Sequence, residues 1–220
     1  MKKKIIASGI FGTLFIWLAV FLRIFDVAAI GPEESKIGFS TINKAVFEFF
    51  GTNNTWDKIT DILIAIAILG VASFAVLGCS QLTKHKKLAG VDKEICALGG
   101  LYVVMGVLYV LFEKIVVVNC RPVLEDDGSL ESSFPSTHTL ISCVALWSAV
   151  VLIGKYIENK TVANILRVVA IVLSLAISIG RLAAGKHWLT DVCGGYLLSA
   201  CLVFAFWAVI SSFQKIDKKN

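Results

Sequence analysis

The segment that ends at Asp191 contains the residue types that nucleophilic chemistry needs. His187 and Asp191 are four residues apart, so a helix that begins near His187 places them one turn apart on one face. A carboxylate there accepts a hydrogen bond from the imidazole, fixes its tautomer and leaves the other ring nitrogen free as a nucleophile. A helix-stabilising pair without chemical function explains this segment equally well when it is taken alone.

A second histidine follows a typical helix start. Pro135, Ser136, Thr137 and His138 come directly before an apolar run, where Ser or Thr can cap the helix and free N–H groups can bind an anion. A cation at a helix N-terminus is disfavoured unless an anion lies nearby. His138 is therefore expected to be either a hydrogen-bonded structural residue or a proton donor.

Three cations complete the candidate chemistry. Lys114 and Arg121 are seven residues apart and share a face if their helix continues to Pro122, and Arg181 precedes the candidate nucleophile. Glu113 can neutralise one of these charges, and snorkelling of membrane-edge cations toward headgroups is the alternative interpretation. A nucleophile, an orienting acid, a second histidine and several cations together suit phosphoryl transfer.

Other charged residues lie beside this set. Lys186 either attracts an anionic headgroup or simply lies at the membrane interface. Glu125, Asp126 and Asp127 are expected to form a solvated loop. The third histidine, His85, is distant in sequence and no HExxH motif is present, so a catalytic zinc site is not expected.

Apolar helices must position these residues. The chain has 220 residues, 57% apolar and 17% charged, with a mean hydropathy of +0.80, whereas soluble domains have about 45 to 50% apolar and about 25% charged residues. A helix crosses a bilayer with roughly 20 apolar residues. Six runs approach that length, at Ile5 to Phe25, Ile59 to Cys79, Cys96 to Val118, His138 to Ile153, Val162 to Ile179 and Trp188 to Ile210. We therefore predict an all-α polytopic membrane protein, a bundle of six transmembrane helices that forms one domain over residues 1–220.

The distribution of cations predicts the orientation of this bundle. With a cytoplasmic N-terminus, the inner segments and helix ends hold Lys2, Lys3, Lys4, Lys84, Lys86, Lys87, Lys93, Lys155, Lys160, Arg167, Lys215, Lys218 and Lys219. Cytoplasmic segments of membrane proteins are enriched in Lys and Arg. Both termini are therefore predicted to be cytoplasmic in a plasma-membrane protein, with the candidate site residues at the outer face. The first apolar run is longer than a signal core, so we expect it to be retained as a span.

The segment between the first two runs has a different character. It is too polar to cross a membrane, yet Ile42, Ala45, Val46, Phe49 and Phe50 recur at helical spacing. An amphipathic helix at the outer surface and a short helix that packs over the bundle both explain this pattern.

Cysteine and charge patterns restrict other functions. The six cysteines include no CxxC pair and mostly lie in apolar runs, so we expect them to pack as small hydrophobic residues. The net charge of +5 is scattered, without a basic stripe that contains aromatic residues, so nucleic acid is not an expected partner.

The ordered motifs resemble those of the type 2 phosphatidic acid phosphatase family of membrane lipid phosphatases. The family pattern is K-x6-R-P, then P-S-G-H, then S-R-x5-H-x3-D. This chain has Lys114 to Arg121-Pro122, then Pro135-Ser136-Thr137-His138, then Gly180-Arg181 to His187 and Asp191. Thr137 replaces the usual Gly and adds a side chain beside the phosphate, whereas Gly180 replaces the usual Ser and removes a hydroxyl.

The resemblance implies a role for each matching residue. His187 is the nucleophile that forms a phosphohistidine, Asp191 is its orienter, and His138 is the general acid for the leaving oxygen. The residues implied to bind the phosphoryl group are Lys114, Arg121, Ser136, Thr137 and Arg181. No metal or cofactor is implied, because the cations supply the positive charge.

The implied function is metal-independent dephosphorylation of a membrane lipid phosphate or diphosphate. Undecaprenyl diphosphate, phosphatidylglycerol phosphate and phosphatidic acid are the implied substrates, and we favour the polyprenyl diphosphate. The bilayer and the lipid are the expected partners, and no obligatory protein partner is predicted. A lipid phosphotransferase that uses the same histidine and a non-catalytic anionic-lipid binder or transporter remain alternatives.

Overall fold

The computed structural model describes residues 1–125 and 127–216 of the chain. Within them, the α-helices are α1 (Lys2–Phe21), α2 (Ser40–Phe50), α3 (Asn54–His85), α4 (Lys93–Val110), α5 (Thr137–Tyr156), α6 (Lys160–Ala183) and α7 (Leu189–Ile216). Two short strands, β1 (Ala28–Ala29) and β2 (Lys36–Ile37), pair antiparallel. Short 3-10 turns cover Pro32–Glu34 and Leu88–Gly90, and a π-helical turn covers Leu111–Ile115. The fold is all-α apart from this small hairpin.

Six of these helices are long and apolar enough to cross a membrane, which confirms the predicted number. The seventh is α2. The helix α3 extends beyond the apolar run from which it was predicted, because polar residues continue it at both ends. Asn53 caps its first turn by accepting hydrogen bonds from the N–H groups of Thr55 and Trp56, and Lys86 ends it with a left-handed backbone conformation.

The helix α5 lies at the centre of the bundle. Within the apolar windows of the helices, 61% of residues are buried in α5 and 56% in α7, but only 6% in α1. The helix α5 packs against α6 and α7, and α1 packs against the outside of α7. Many large apolar side chains of α1, α3 and α6 are exposed on the outside of the bundle. This exposure is expected where lipid, and not water, surrounds the helices.

Contacts between loops define two ends of the bundle. At one end, here called the site end, the α1–α3, α4–α5 and α6–α7 connections meet. At the opposite end, the Lys155 ammonium lies 2.7 Å from the Glu94 carboxylate, and the Tyr156 hydroxyl donates to Asp92 at 3.0 Å. Of the residues interpreted from the sequence, Asp126, Lys218 and Lys219 lie outside the described part of the chain.

The predicted helix from Lys114 to Arg121 is wrong. The α4 segment widens into the π-helical turn Leu111–Ile115 and ends there, so the two cations do not share a helix face. The backbone after this turn forms hydrogen bonds across the α4–α5 loop. The N–H of Arg121 donates to Glu131 O at 3.0 Å, and the N–H of Ser133 donates to Asn119 O at 2.9 Å. These two extended segments use the backbone groups that a continuing helix would need.

The amphipathic segment forms α2, which packs on the bundle and also exposes an apolar face. Its buried Asn43 donates to the Thr190 hydroxyl at 2.9 Å and accepts from the Thr190 N–H at 3.2 Å. On its other face, Ile42 is 48% exposed and Phe49 is 82% exposed. The helix therefore fixes the start of α7 with a polar contact and presents an aromatic edge outward.

Candidate active site

His187 lies in the short turn between α6 and α7. Gly185 ends α6 with a φ of +70°, and a Cβ at this position would lie 2.6 Å from the carbonyl oxygen of Gly51. Only glycine fits this left-handed and crowded position without strain. The turn then directs the His187 side chain into the protein, where it is 1% exposed.

The tautomer of His187 follows from its hydrogen bond. Nδ1 lies 3.1 Å from the carbonyl oxygen of Ser133, which can only accept, so Nδ1 carries the proton. Nε2 is buried and has no hydrogen-bond partner among the described residues. This unprotonated nitrogen is the atom with which His187 can attack an electrophile.

Asp191 is fully buried but does not make the predicted hydrogen bond to His187. Its Oδ2 lies 3.7 Å from Nδ1 of His187 and accepts instead from the N–H of Trp188 at 2.9 Å. The physical reason is that α7 begins at Leu189, so His187 precedes the helix and does not lie one turn above Asp191. Asp191 therefore closes the first turn of α7 and places its carboxyl group near the imidazole.

The surroundings of His187 keep its imidazole neutral. Burial lowers the pKa of His187 well below its ordinary value, and the positive charges of Arg181 and Arg121 lower this pKa further. The hydrogen bond to Ser133 opposes this shift only in part. The neutral form is the nucleophilic form of histidine.

His138 lies in the first turn of α5 and contacts α3. Its Nε2 donates to Oδ1 of Asp61 at 2.9 Å, and the His138 side chain is 22% exposed. The predicted cap is confirmed, because the Ser136 hydroxyl accepts from the Thr139 hydroxyl at 3.1 Å and from its N–H at 3.4 Å. Thr137 is the first residue of the helix, and its N–H is one of the free donors of that turn.

Arg181 is held by the beginning of α3. Its side chain is 3% exposed, and Nη1 pairs closely with Asp57 and donates to the Thr60 hydroxyl at 3.3 Å. The carboxylate of Asp61 lies 3.9 Å from the same nitrogen. Nε of Arg181 is buried and has no partner within the described chain.

Arg121 lies in the α4–α5 loop between two glutamates. Nη1 pairs with Glu125 at 2.7 Å and Nη2 with Glu131 at 3.1 Å, while the buried Nε has no partner in the described part of the protein. Glu125 also pairs with Lys186 at 3.0 Å. The prediction of a solvated acidic loop is therefore wrong for Glu125, since two cations bind its carboxylate; Asp127 is exposed as predicted.

Acidic and basic side chains alternate around the site. Each neighbouring pair lies within 4 Å, and we name the series the charge chain: Glu131, Arg121, Glu125, Lys186, Asp57, Arg181, Asp61 and His138. The sequence motifs identified Arg121, Arg181 and His138 in this series, and Lys186 was noted beside them, but the carboxylates Asp57, Asp61 and Glu131 were missed. The one available signal was the spacing of Asp57 and Asp61, which are four residues apart at the site end of the second predicted span.

The structure does not join Lys114 to this group. Its side chain is exposed at the end of the π-helical turn and makes no hydrogen bond or ion pair with another described residue. The other candidate site residues, Arg121, Ser136, Thr137, His138, Arg181, His187 and Asp191, lie at the site end. In the described ranges, no group of three or more His, Cys, Asp or Glu side chains is placed to hold a metal ion.

An apolar groove of about 590 Å³ lies between α3, α4 and α5. It includes Ile141, one helical turn from His138, and Ile68, two turns from Asp61. It reaches Leu88 at the opposite end of the bundle. A chain of methylene groups is the kind of ligand that such a surface can accommodate.

Comparisons with known proteins identify the fold and the family of this chain. The chain is similar to the crystal structure of a transmembrane PAP2-type phosphatidylglycerolphosphate phosphatase from Bacillus subtilis, with a TM-score of 0.63 and 16% identity. The match covers 94% of this chain and 96% of that one, and it concerns the fold. A model of the PAP2 superfamily matches residues 95–215, which include all three motif blocks. The chain therefore belongs to the PAP2 superfamily, the type 2 phosphatidic acid phosphatase family.

Proposed function

We propose that this protein removes the phosphate of a membrane lipid phosphate or diphosphate through a phosphohistidine at His187. The observation that carries this proposal is a set of three buried nitrogen atoms without partners among the described residues. They are Nε2 of His187, Nε of Arg121 and Nε of Arg181. Buried polar atoms are normally paired, so an anion that receives donors from two arginines beside a free imidazole nitrogen is the expected ligand.

The reaction proceeds in two steps. Nε2 of His187 attacks phosphorus, the bond to the lipid oxygen breaks, and His138 gives that oxygen its proton. Water then attacks phosphorus and loses a proton to His138, and the bond to His187 breaks to release inorganic phosphate. Asp191 stabilises the positive charge of the phosphorylated imidazole from 3.7 Å.

The phosphoryl oxygens require a positive surrounding in both steps. Arg121 and Arg181 supply it, and the first turn of α5 adds the N–H groups that Ser136 leaves free. We include Lys114 and Thr137 in this binding set because of their motif positions. The cations supply the charge that stabilises the transition state, so the proposed reaction uses no metal ion or cofactor.

A lipid substrate is supported by the surroundings of the site. The apolar groove passes within a helical turn of His138, and the candidate site residues lie at one end of a bundle of six apolar helices. We propose residues 1–220 as one integral membrane phosphatase domain. The substrates are undecaprenyl diphosphate, phosphatidylglycerol phosphate or phosphatidic acid, with preference for the polyprenyl diphosphate.

The cation distribution supports a plasma-membrane location with both termini in the cytoplasm and the site outside. A reporter fused to the C-terminus tests this orientation. A reporter signal from the cytoplasm is expected, whereas a signal from the outside contradicts it.

The reaction is tested by phosphate release from these three lipids with detergent-purified protein and excess chelator. His187→Ala is expected to abolish release. His85→Ala is the matched control, because His85 is an exposed histidine at the opposite end of α3 and should leave the rate unchanged. Release that persists in His187→Ala would exclude this residue as the nucleophile.

The same assay separates the alternatives. A phosphotransferase forms the phosphohistidine but delivers phosphate to an added acceptor lipid instead of water. A non-catalytic binder or transporter shows lipid binding that His187→Ala leaves intact, with no release by the unmodified protein.

A further inference from the structure

We infer that Glu125 is an internal competitor of phosphate: its carboxylate occupies Arg121 and Lys186 in the free protein and weakens retention of inorganic phosphate after the reaction. This inference rests on the proposed phosphatase function. It assigns a role in ligand selection to a residue outside the three motif blocks.

The contacts of Glu125 indicate that it serves the site and does not stabilise a helix. One oxygen lies 2.7 Å from Nη1 of Arg121, in the α4–α5 loop, and the other lies 3.0 Å from Nζ of Lys186, in the α6–α7 turn. A single carboxylate thus joins two cations from different segments. Two anionic oxygens placed between two cations are also what a bound phosphate would present.

The location of Glu125 between Arg121 and Lys186 shows why the carboxylate has to leave. The two terminal nitrogens of Arg121 pair with Glu125 and Glu131, one glutamate each, and Nε has no partner among the described residues. A guanidinium binds a phosphate best with two parallel N–H donors. A phosphate that contacts both Arg121 and Lys186 takes the place of the Glu125 carboxylate, and after its departure Asp57, at 3.9 Å, is the remaining ion-pair partner of Lys186 among the described residues.

Glu125 can leave without loss of the fold. Its side chain is 25% exposed, so the carboxylate can turn into water. The backbone turn is held separately, by a hydrogen bond from the Gly128 N–H to Glu125 O at 2.8 Å and one from the Glu125 N–H to Ser129 O at 3.0 Å. Rotation of the side chain changes neither of these bonds.

The ionisation state of Glu125 agrees with this role. Burial alone would raise its pKa, but the hydrogen bond from Lys186 and the charges of Arg121 and Lys186 outweigh burial and lower the pKa. The carboxylate is therefore charged at neutral pH and competes as an anion.

The consequence is selection between substrate and product. A lipid phosphate gains binding free energy from its apolar chain and can displace Glu125. Free phosphate lacks that contribution, so the returning carboxylate displaces it more readily. Without Glu125, Arg121 and Lys186 would hold the product phosphate more tightly.

The test compares Glu125→Gln with the full-length protein in detergent. Binding of inorganic phosphate is measured by the rise in thermal unfolding temperature, and product inhibition by added phosphate is measured in the release assay. Glu125→Gln is expected to lower the half-saturating phosphate concentration by roughly tenfold in both measurements, because one anion facing two partly buried cations is removed. Asp127→Asn is the matched control: it makes the same change of charge in the same loop, but Asp127 is exposed and contacts Ser129.

Two outcomes overturn the inference: phosphate binding by Glu125→Gln that equals that of the unmodified protein, or an equal gain in Asp127→Asn. If Glu125→Gln does not fold, Glu125→Asp replaces it, because the shorter side chain cannot bridge both cations and should shift phosphate binding in the same direction. The unfolding measurement does not depend on catalysis. Tighter phosphate binding in a protein that releases none from lipids would support the inference and reject the proposed function.

Discussion

The carboxylate of Asp191 lies 3.7 Å from Nδ1 of His187 and takes its hydrogen bond from the backbone N–H of Trp188. The carbonyl of Ser133 is the acceptor that fixes the imidazole tautomer. In a hydrogen-bonded His–Asp pair, a single carboxylate both fixes the tautomer and stabilises the positive charge that forms on the imidazole. Two different groups are positioned for these tasks here. Asp191 places a carboxyl group beside the ring and closes the turn, and the α4–α5 loop orients the ring.

This division predicts the effect of Asp191→Asn. The amide oxygen can still accept from Trp188, and Ser133 still holds Nδ1 of His187, so the turn and the tautomer are preserved. Loss of the carboxylate that balances the positive charge of the phosphorylated imidazole should lower kcat by roughly 100-fold, the scale of one electrostatic contribution to a transition state, with little change in KM. Steady-state kinetics on a lipid phosphate measure both constants. A loss as large as that of His187→Ala would mean that Asp191 sets the tautomer after all.

The acid side of the pH profile tests the neutral state of His187. Burial, with the charges of Arg181 and Arg121, lowers its pKa well below the ordinary value of about 6.5. A lowered pKa means that the nucleophile stays unprotonated as the pH falls through that value. Values of kcat/KM, which report ionisation in the free enzyme, should therefore show no loss from His187 near 6.5 when they are measured between about pH 5 and pH 8. A loss of activity with an apparent pKa of 6.5 would mean that His187 is more exposed to solvent than it is in the structure.

The contact between His138 and Asp61 predicts a dependence on the leaving group. Asp61 stabilises the protonated imidazole through the 2.9 Å hydrogen bond, so Asp61→Asn should lower kcat for a lipid phosphate by about tenfold. With a nitrophenyl phosphate, whose leaving oxygen needs no proton, the burst of nitrophenol that reports phosphoenzyme formation should keep its rate. Glu48→Gln is the control, because it removes an exposed carboxylate on α2. Equal losses on both substrates would exclude a role of Asp61 in proton donation.

The sequence was sufficient for the features that depend on nearby residues. Apolar run length identified six helices, and Ser136 was recognised as the cap of α5 because capping needs only its own neighbours. The positions of the motifs relative to the apolar runs also predicted that His138, Arg181 and His187 lie at one end of the bundle.

Features that depend on distant residues were not predictable in the same way. Asp57 meets Arg181 across 124 positions of sequence, and Asp61 meets His138 across 77, so the packing of α3 against α5 and α6 decides both contacts. The end of α4 was missed for a related reason. Pairing of Arg121 with Glu131 in the same loop outcompetes continuation of the helix.

Helix packing explains why Gly180 replaces the serine of the family pattern in this protein. A Cβ at Gly180 would lie 2.4 Å from Cγ2 of Thr60, which is fully buried and too short to move aside. Glycine here lets α6 approach α3 closely enough for Arg181 to reach Asp57. Glycine at this position therefore allows a close contact between α6 and α3, in addition to removing a hydroxyl from the phosphate site.

Gly180→Ser, which restores the usual family residue, should therefore destabilise this protein by about 1 to 3 kcal/mol, the typical cost of overpacking. It should also lower activity, because separation of α6 from α3 weakens the pair of Arg181 with Asp57. Thr60→Ser in the same chain removes Cγ2 but keeps the hydroxyl that accepts from Arg181, so the double variant should recover both stability and activity. Thermal unfolding and phosphate release measure the two effects. If Gly180→Ser is as stable as the unmodified protein, or if Thr60→Ser does not rescue it, close contact with Thr60 is not the reason that glycine is needed.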